Sequence, residues 1–223
     1  MDKIKEMEYI DNSPRKRVDT AIYETMNIYC NKLANKFFPV GLEFTFQFNY
    51  ARILEQVLGT YTLTPEESFQ VLFEDNNPID SFKDYVDIVV VYRNKEVNEK
   101  YFIELKYKKI TDQAADLGNI ESYKDMYMLD RHISDGNAMA AYYIFLTDWD
   151  EYTISANKGT RVEIPMYHNY TIEKDKLYIV TGKTAKSKTT KFPDGFKFSN
   201  SHTIKYTSFE IDKKKYWYYI EKI

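Results

Sequence analysis

Residues 85–109, YVDIVVVYRNKEVNEKYFIELKYKK, decide how this chain folds. Residues 88–92 form an unbroken β-branched and aromatic run, and residues 101–107 form a second. Both compositions favour strands. The polar stretch 93–100 between them contains Asn94, a residue suited to a turn. A loop over residues 94–97 sets Arg93 opposite Asn98, Tyr92 opposite Glu99 and Asp87 opposite Glu104. Directly opposed residues of an antiparallel pair share a face and lie about 5 Å apart. Side chains repeat every second residue, so Lys106 joins Glu104 on that face while Leu105 turns away. The Leu105 carbonyl stays beside the group.

Two carboxylates at that separation repel each other unless a cation lies between them. Oxygen ligands in small number describe magnesium better than zinc, with water and substrate phosphate completing an octahedron. Asp87, Glu104 and the Leu105 carbonyl are the candidate ligands. Lys106 is the candidate catalytic amine, positioning or deprotonating a water and stabilising the transition state. The plainer alternative is a half-buried strand with one wet face, since Tyr101, Ile103, Leu105 and Tyr107 alternate with Phe102, Glu104, Lys106 and Lys108. Glu-x-Lys alone is a common pattern, and Asp212-Lys213-Lys214 has nearly the same form. The neighbouring strand tips the balance. Residues 88–92 do not alternate, so both faces are covered there, and Val89 and Val91 share the face of Glu104 and Lys106. Charges at the rim of a buried region need a partner or a function.

An aspartate, a strand, a turn and Glu-x-Lys on the next strand resemble the PD-(D/E)XK nuclease superfamily. The matching residues are Asp87, Glu104 and Lys106; Val86 stands where the motif name has proline. The resemblance is specific over residues 85–109 and extends in outline over 40–150. It implies a restriction-endonuclease-like α/β fold, a central mixed sheet flanked by helices. It also implies Mg²⁺-dependent cleavage of DNA or RNA, Mn²⁺ substituting, with 5′-phosphate products. Many such nucleases carry a supporting glutamate on the first core helix. Glu55 is the preferred candidate for that role and Glu24 the alternative. Gln113 and Tyr123, on the helix after the motif, are weaker candidates for phosphate contact, each with an ordinary surface or core role as the plainer reading.

Composition frames this. A 223-residue chain with 43% hydrophobic residues can bury a full core without staples. No apolar run reaches the roughly 18 residues of a membrane span, and MDKIKEMEYIDNS lacks a signal-peptide core. A lone cysteine, Cys30, suits a reducing compartment, so a cytoplasmic location is expected. The net charge of −3 does not mark a general nucleic-acid binder. Its distribution is uneven: from Lys174 to Lys222 there are twelve lysines against five acids, a surface suited to phosphates or simply solvated. Residues 181–195, TGKTAKSKTTKFPDG, read as a loop.

Elsewhere, Ser13-Pro14 opens a helix whose apolar stripe is Val18, Ile22, Met26, Leu33 and Phe37. In residues 41–59, Phe44, Phe46 and Phe48 alternate like a strand, yet Phe46, Tyr50, Ile53 and Val57 sit at helical spacing. A helix is expected over at least 50–58, with Gly59 past its end. Residues 68–73 read as a strand, 111–133 as a helix capped by Thr111, and 141–147 as a strand parallel to its neighbour after a helical crossover. RVEIPM, KLYIV and KYWYYI are short β segments that extend the sheet or form a small cap. One domain is expected: an N-terminal helix over 1–40, a catalytic core over 41–150 and a β-rich extension over 151–223.

His132, His168 and His202 show no zinc spacing, and Gly182-Lys183-Thr184 lacks the glycine a Walker motif requires. The expectation is a Mg²⁺-dependent endonuclease acting on DNA, forming a homodimer if it cuts both strands. Its rivals are an RNA endonuclease and a non-catalytic nuclease-like platform.

Overall fold

The computed structural model describes residues 12–39, 41–73, 86–112, 115–154, 165–179 and 195–223. Helix α1 (Pro14–Ala34) begins where the Ser13 hydroxyl accepts the Lys16 N–H at 3.3 Å, and it buries Val18, Ile22, Met26 and Leu33. Its stripe stops one residue short of expectation. Lys36 turns left-handed at φ 61° just after the helix, leaving Phe37 76% exposed.

Helix α2 (Glu43–Thr60) starts seven residues before Tyr50 and takes in Gly59. The alternation of Phe44, Phe46 and Phe48 is therefore helical in fact. Burial decides it: Phe46, Tyr50, Leu54, Val57 and Leu58 fill one side of the helix, and the Tyr50 hydroxyl donates to the Ile22 carbonyl of α1 at 3.0 Å. A strand would have sent half of these side chains to the opposite face.

The strands are β1 (Ser68–Phe73), β2 (Ile88–Arg93), β3 (Asn98–Lys108), β4 (Ala140–Thr147), β5 (Thr171–Ile172), β6 (Leu177–Tyr178), β7 (Phe196–Lys197), β8 (His202–Thr203), β9 (Thr207–Ile211) and β10 (Lys214–Lys222). A six-stranded mixed sheet has the order β1-β2-β3-β4-β10-β9. Among the described strands only β3 and β4 are parallel, joined by helix α3 (Ala115–Ser134) as the crossover. The helix begins later than expected, after a 3-10 turn at Ile110–Asp112 that takes in Thr111.

The C-terminal segments do both things allowed for them. Strands β9 and β10 complete the central sheet, while β5 with β8 and β6 with β7 form two small ladders. The 151–223 region is thus partly core. Of RVEIPM, residues 161–164 lie outside the described residues, as do residues 181–194 of the lysine-rich loop and Gln113.

Each face of the sheet has its own core. Helices α1 and α2 cover Ile88, Val90, Ile103, Leu105, Tyr142 and Ile144. Helix α3 and the small ladders cover Val89, Val91, Phe102, Tyr143, Phe145 and Tyr219. No helix among the described residues is long and apolar enough to cross a membrane.

Candidate functional site

The turn after β2 is set locally: the Asn94 side chain accepts the N–H groups of Glu96 and Val97, and the Asn94 N–H donates to the Val97 carbonyl at 3.0 Å. That turn fixes the hairpin register, with Arg93 opposite Asn98, Tyr92 opposite Glu99 and Ile88 opposite Ile103. One pair further, Asp87 stands opposite Glu104. Here β2 ends, while β3 runs on to Lys108 with β4 along its other edge.

Among the described residues, no strand pairs the edge of β3 that faced β2 from Leu105 onward. Within a strand a residue's N–H and C=O point to the same edge. Leu105 and Tyr107 both present theirs here. Carboxylates satisfy this edge: Asp87 Oδ2 accepts the Leu105 N–H at 2.8 Å, and Glu43 Oε2 accepts the Tyr107 N–H at 3.0 Å. Backbone donors away from water require such partners. The Asp87 N–H in turn donates to Glu104 Oε2 at 3.3 Å.

Lys106 lies on the α3 side of β3. Its ammonium is 3.3 Å from Asp125 Oδ2 and 3.5 Å from Glu43 Oε1. Lys106 and Asp125 are each only 14% exposed. Beside this pair, Lys108 meets Glu121 at 2.6 Å. Lysines two apart on the strand thus face acids four apart on the helix, a match of the two periodicities.

Four carboxylates, from Asp87, Glu104, Asp125 and Glu43, surround one ammonium. Burial, with Glu43 and Asp125 nearby, pushes Asp87 up to about 6 despite the Leu105 N–H and Lys106. Burial and the charges of Asp125 and Asp87 hold Glu104 well above the usual carboxylate range. Burial also raises Asp125, against the pull of Lys106. For Lys106, burial favours the neutral amine, but Asp125, Glu43, Glu104 and Asp87 outweigh it and the group holds its proton more tightly than a free lysine.

The excess of negative charge and the all-oxygen donor set suit a hard divalent cation. Among the described residues no group of three or more His, Cys, Asp or Glu side chains is arranged to hold a metal. The ligands expected from the sequence, Asp87, Glu104 and the Leu105 carbonyl, are fewer than that, the low protein-ligand count typical of magnesium. A cavity of about 570 Å³, lined among others by Tyr23, Lys205, Tyr218 and Lys222, includes none of these residues.

The sequence-derived residues Asp87, Glu104, Leu105 and Lys106 are thus brought together. Glu55 is not among them. It is exposed on α2, about 18 Å along the helix axis from Glu43 at a rise of about 1.5 Å per residue. Helix α2 does supply a glutamate, but from its first turn. Glu24 is exposed on α1, close to the Tyr61 hydroxyl. Tyr123 is a core residue whose hydroxyl donates to the Pro165 carbonyl at 3.0 Å.

Glu43 and Asp125 escaped the sequence reading. For Asp125 a signal exists, the spacing of Glu121 and Asp125 against Lys106 and Lys108. For Glu43 there is little, because its role depends on where α2 begins. No protein-family model, no curated protein and no solved structure matches this chain.

Proposed function

We propose that this chain is a Mg²⁺-dependent endonuclease of the restriction-endonuclease-like fold, hydrolysing phosphodiester bonds in DNA. One observation carries the reading: Asp87, Glu104 and Lys106 converge at the end of the β2–β3 hairpin, where β3 runs on past the last described residue pair of β2. The mixed sheet with helices on both faces is compatible with it.

Asp87, Glu104 and the Leu105 carbonyl would hold the ion. When bound, Mg²⁺ supplies Lewis-acid polarisation of the phosphate and a more acidic water. Lys106, whose proton is stabilised by four carboxylates, serves as a charged donor to the scissile phosphate rather than as a base. Asp125 and Glu43 position that ammonium from opposite elements. Glu43 also fixes the backbone at Tyr107, and Asp87 fixes it at Leu105, so the strand bearing Lys106 is clamped on both sides of it.

The non-catalytic platform has one observation in its favour: Lys106 is already engaged by two acids, as in a structural ion-pair network. Incubation of the protein with circular plasmid and with RNA, in Mg²⁺, Mn²⁺ or EDTA, separates the readings. Metal-dependent nicking or linearisation lost in Asp87→Ala and Lys106→Ala supports the endonuclease. Variants that cut as well as the wild type, or a wild type that binds and never cuts, defeat it.

A further inference from the structure

Helix α2 carries two apolar stripes, and only one is buried. Phe46, Tyr50, Leu54, Val57 and Leu58 face the core. On the outer side, Phe44 and Phe48 stack at 6.4 Å between ring centres with planes 23° apart. Phe48 stacks in turn on Phe73 at the end of β1, at 6.2 Å and 18°. The Arg52 guanidinium lies 5.6 Å over the Phe48 ring. Phe44 is 71% exposed, Phe73 46% and Phe48 42%. Scattered exposed apolar residues are ordinary, but three near-parallel rings in a row form a patch that water disfavours.

The patch and the candidate site are linked through two pairs of chain neighbours. Phe44 follows Glu43, the residue that contacts Lys106 and Tyr107. Phe73 pairs with Ile88, the neighbour of Asp87. Flat rings in series, with a guanidinium over one of them, match a chain of flat bases joined by phosphates. A paired duplex hides its base faces within its own stack, whereas a single strand offers them. Resting on the endonuclease reading, we infer that Phe44, Phe48 and Phe73, with Arg52, form a stacking platform for the bases of single-stranded DNA whose backbone enters the Asp87–Lys106 site. A single-strand substrate also removes any need for two sites on a homodimer.

The test is fluorescence anisotropy of a labelled DNA single strand, and of its duplex, with the full-length protein in EDTA. The expected result is tighter binding of the single strand. Phe48→Ala and Phe44→Ala each weaken it about tenfold or more, while Phe48→Trp retains it and circular dichroism is unchanged. Equal affinity in wild type and alanine variants overturns the inference, as does a preference for duplex or for RNA of the same sequence. A dimer in light scattering that Phe48→Ala dissociates without changing DNA affinity also overturns it. Failure of the endonuclease reading looks different: the wild type binds single strands through these rings but cuts none with Mg²⁺.

Discussion

Asp87 and Glu104 are tied to each other's strands, the Asp87 N–H donating to Glu104 Oε2 at 3.3 Å while Asp87 Oδ2 takes the Leu105 N–H at 2.8 Å. The contact closes the hairpin where its ladder ends. It also holds two carboxylates close together, which burial and mutual repulsion leave poorly satisfied. In the proposed function, the same bonds that complete a sheet edge hold the two carboxylates that would bind the cation.

Such binding has a thermodynamic signature apart from catalysis. A ligand that binds only the native state adds stability as RT ln(1 + [L]/Kd), about 2.7 kcal/mol at a hundredfold excess over Kd. Thermal melts of the wild type are expected to shift upward with rising Mg²⁺, and Asp87→Asn to abolish the shift. A wild-type melting temperature indifferent to Mg²⁺ at every concentration would sink the metal assignment.

Glu43 and Glu55 lie on the same helix, but only Glu43 reaches Lys106 and the Tyr107 N–H. Glu43→Ala is expected to lower the plasmid-cleavage rate about tenfold or more and to cost about 1–3 kcal/mol of stability, because it orphans a backbone donor. Glu55→Ala is expected to leave both unchanged. Equal loss in the two variants would show that α2 matters only as a packed helix.

Away from the site, Glu67 accepts from Arg17 at 2.8 Å, from the Tyr92 hydroxyl at 2.8 Å and from the Leu63 N–H at 3.1 Å. The Arg17 hydrogen bond, chiefly, with Tyr92, Leu63 and the guanidinium charge, outweighs burial and holds this carboxyl down at about 2, against an ordinary value of 4.5. A depressed folded-state value means the stabilisation is complete above the unfolded value and lost as pH falls from about 4.5 through 2. Urea midpoints across pH 2 to 7 are expected to show a shallower acid limb in Glu67→Gln. That variant also loses about 3 kcal/mol at neutral pH, since Arg17 is 5% exposed and loses its counter-charge. An acid limb identical to wild type would rule out this linkage.

Leu105 separates packing from chemistry at a single position. Its side chain is fully buried between the sheet and the α1–α2 layer, while its backbone N–H anchors Asp87. Leu105→Ala is expected to cost about 2–5 kcal/mol in denaturant unfolding. Cleavage per folded molecule stays near wild type, because the backbone groups remain. Near-complete loss of activity in a folded Leu105→Ala protein would place the side chain itself in the site.

The amino-acid sequence alone determined the hairpin. The turn at Asn94 and the two flanking strands are local in the chain, so counting outward from the loop gave the Asp87–Glu104 opposition that the structure contains. The parallel β3–β4 pair was legible for a similar reason, since a helix between two strands demands a crossover. Tertiary structure alone decided where α2 begins. Phe44, Phe46 and Phe48 satisfy both a strand and a helix period, and the tie is broken by α1 and the sheet, which bury Phe46 and Tyr50 together. Through that choice Glu43 arrives beside Lys106 from 63 residues away. Asp125 arrives by the packing of α3 on β3. Local hydrogen bonds set register, but which distant carboxylates share one buried ammonium depends on how whole helices bury their apolar faces, and no window of sequence contains that energy.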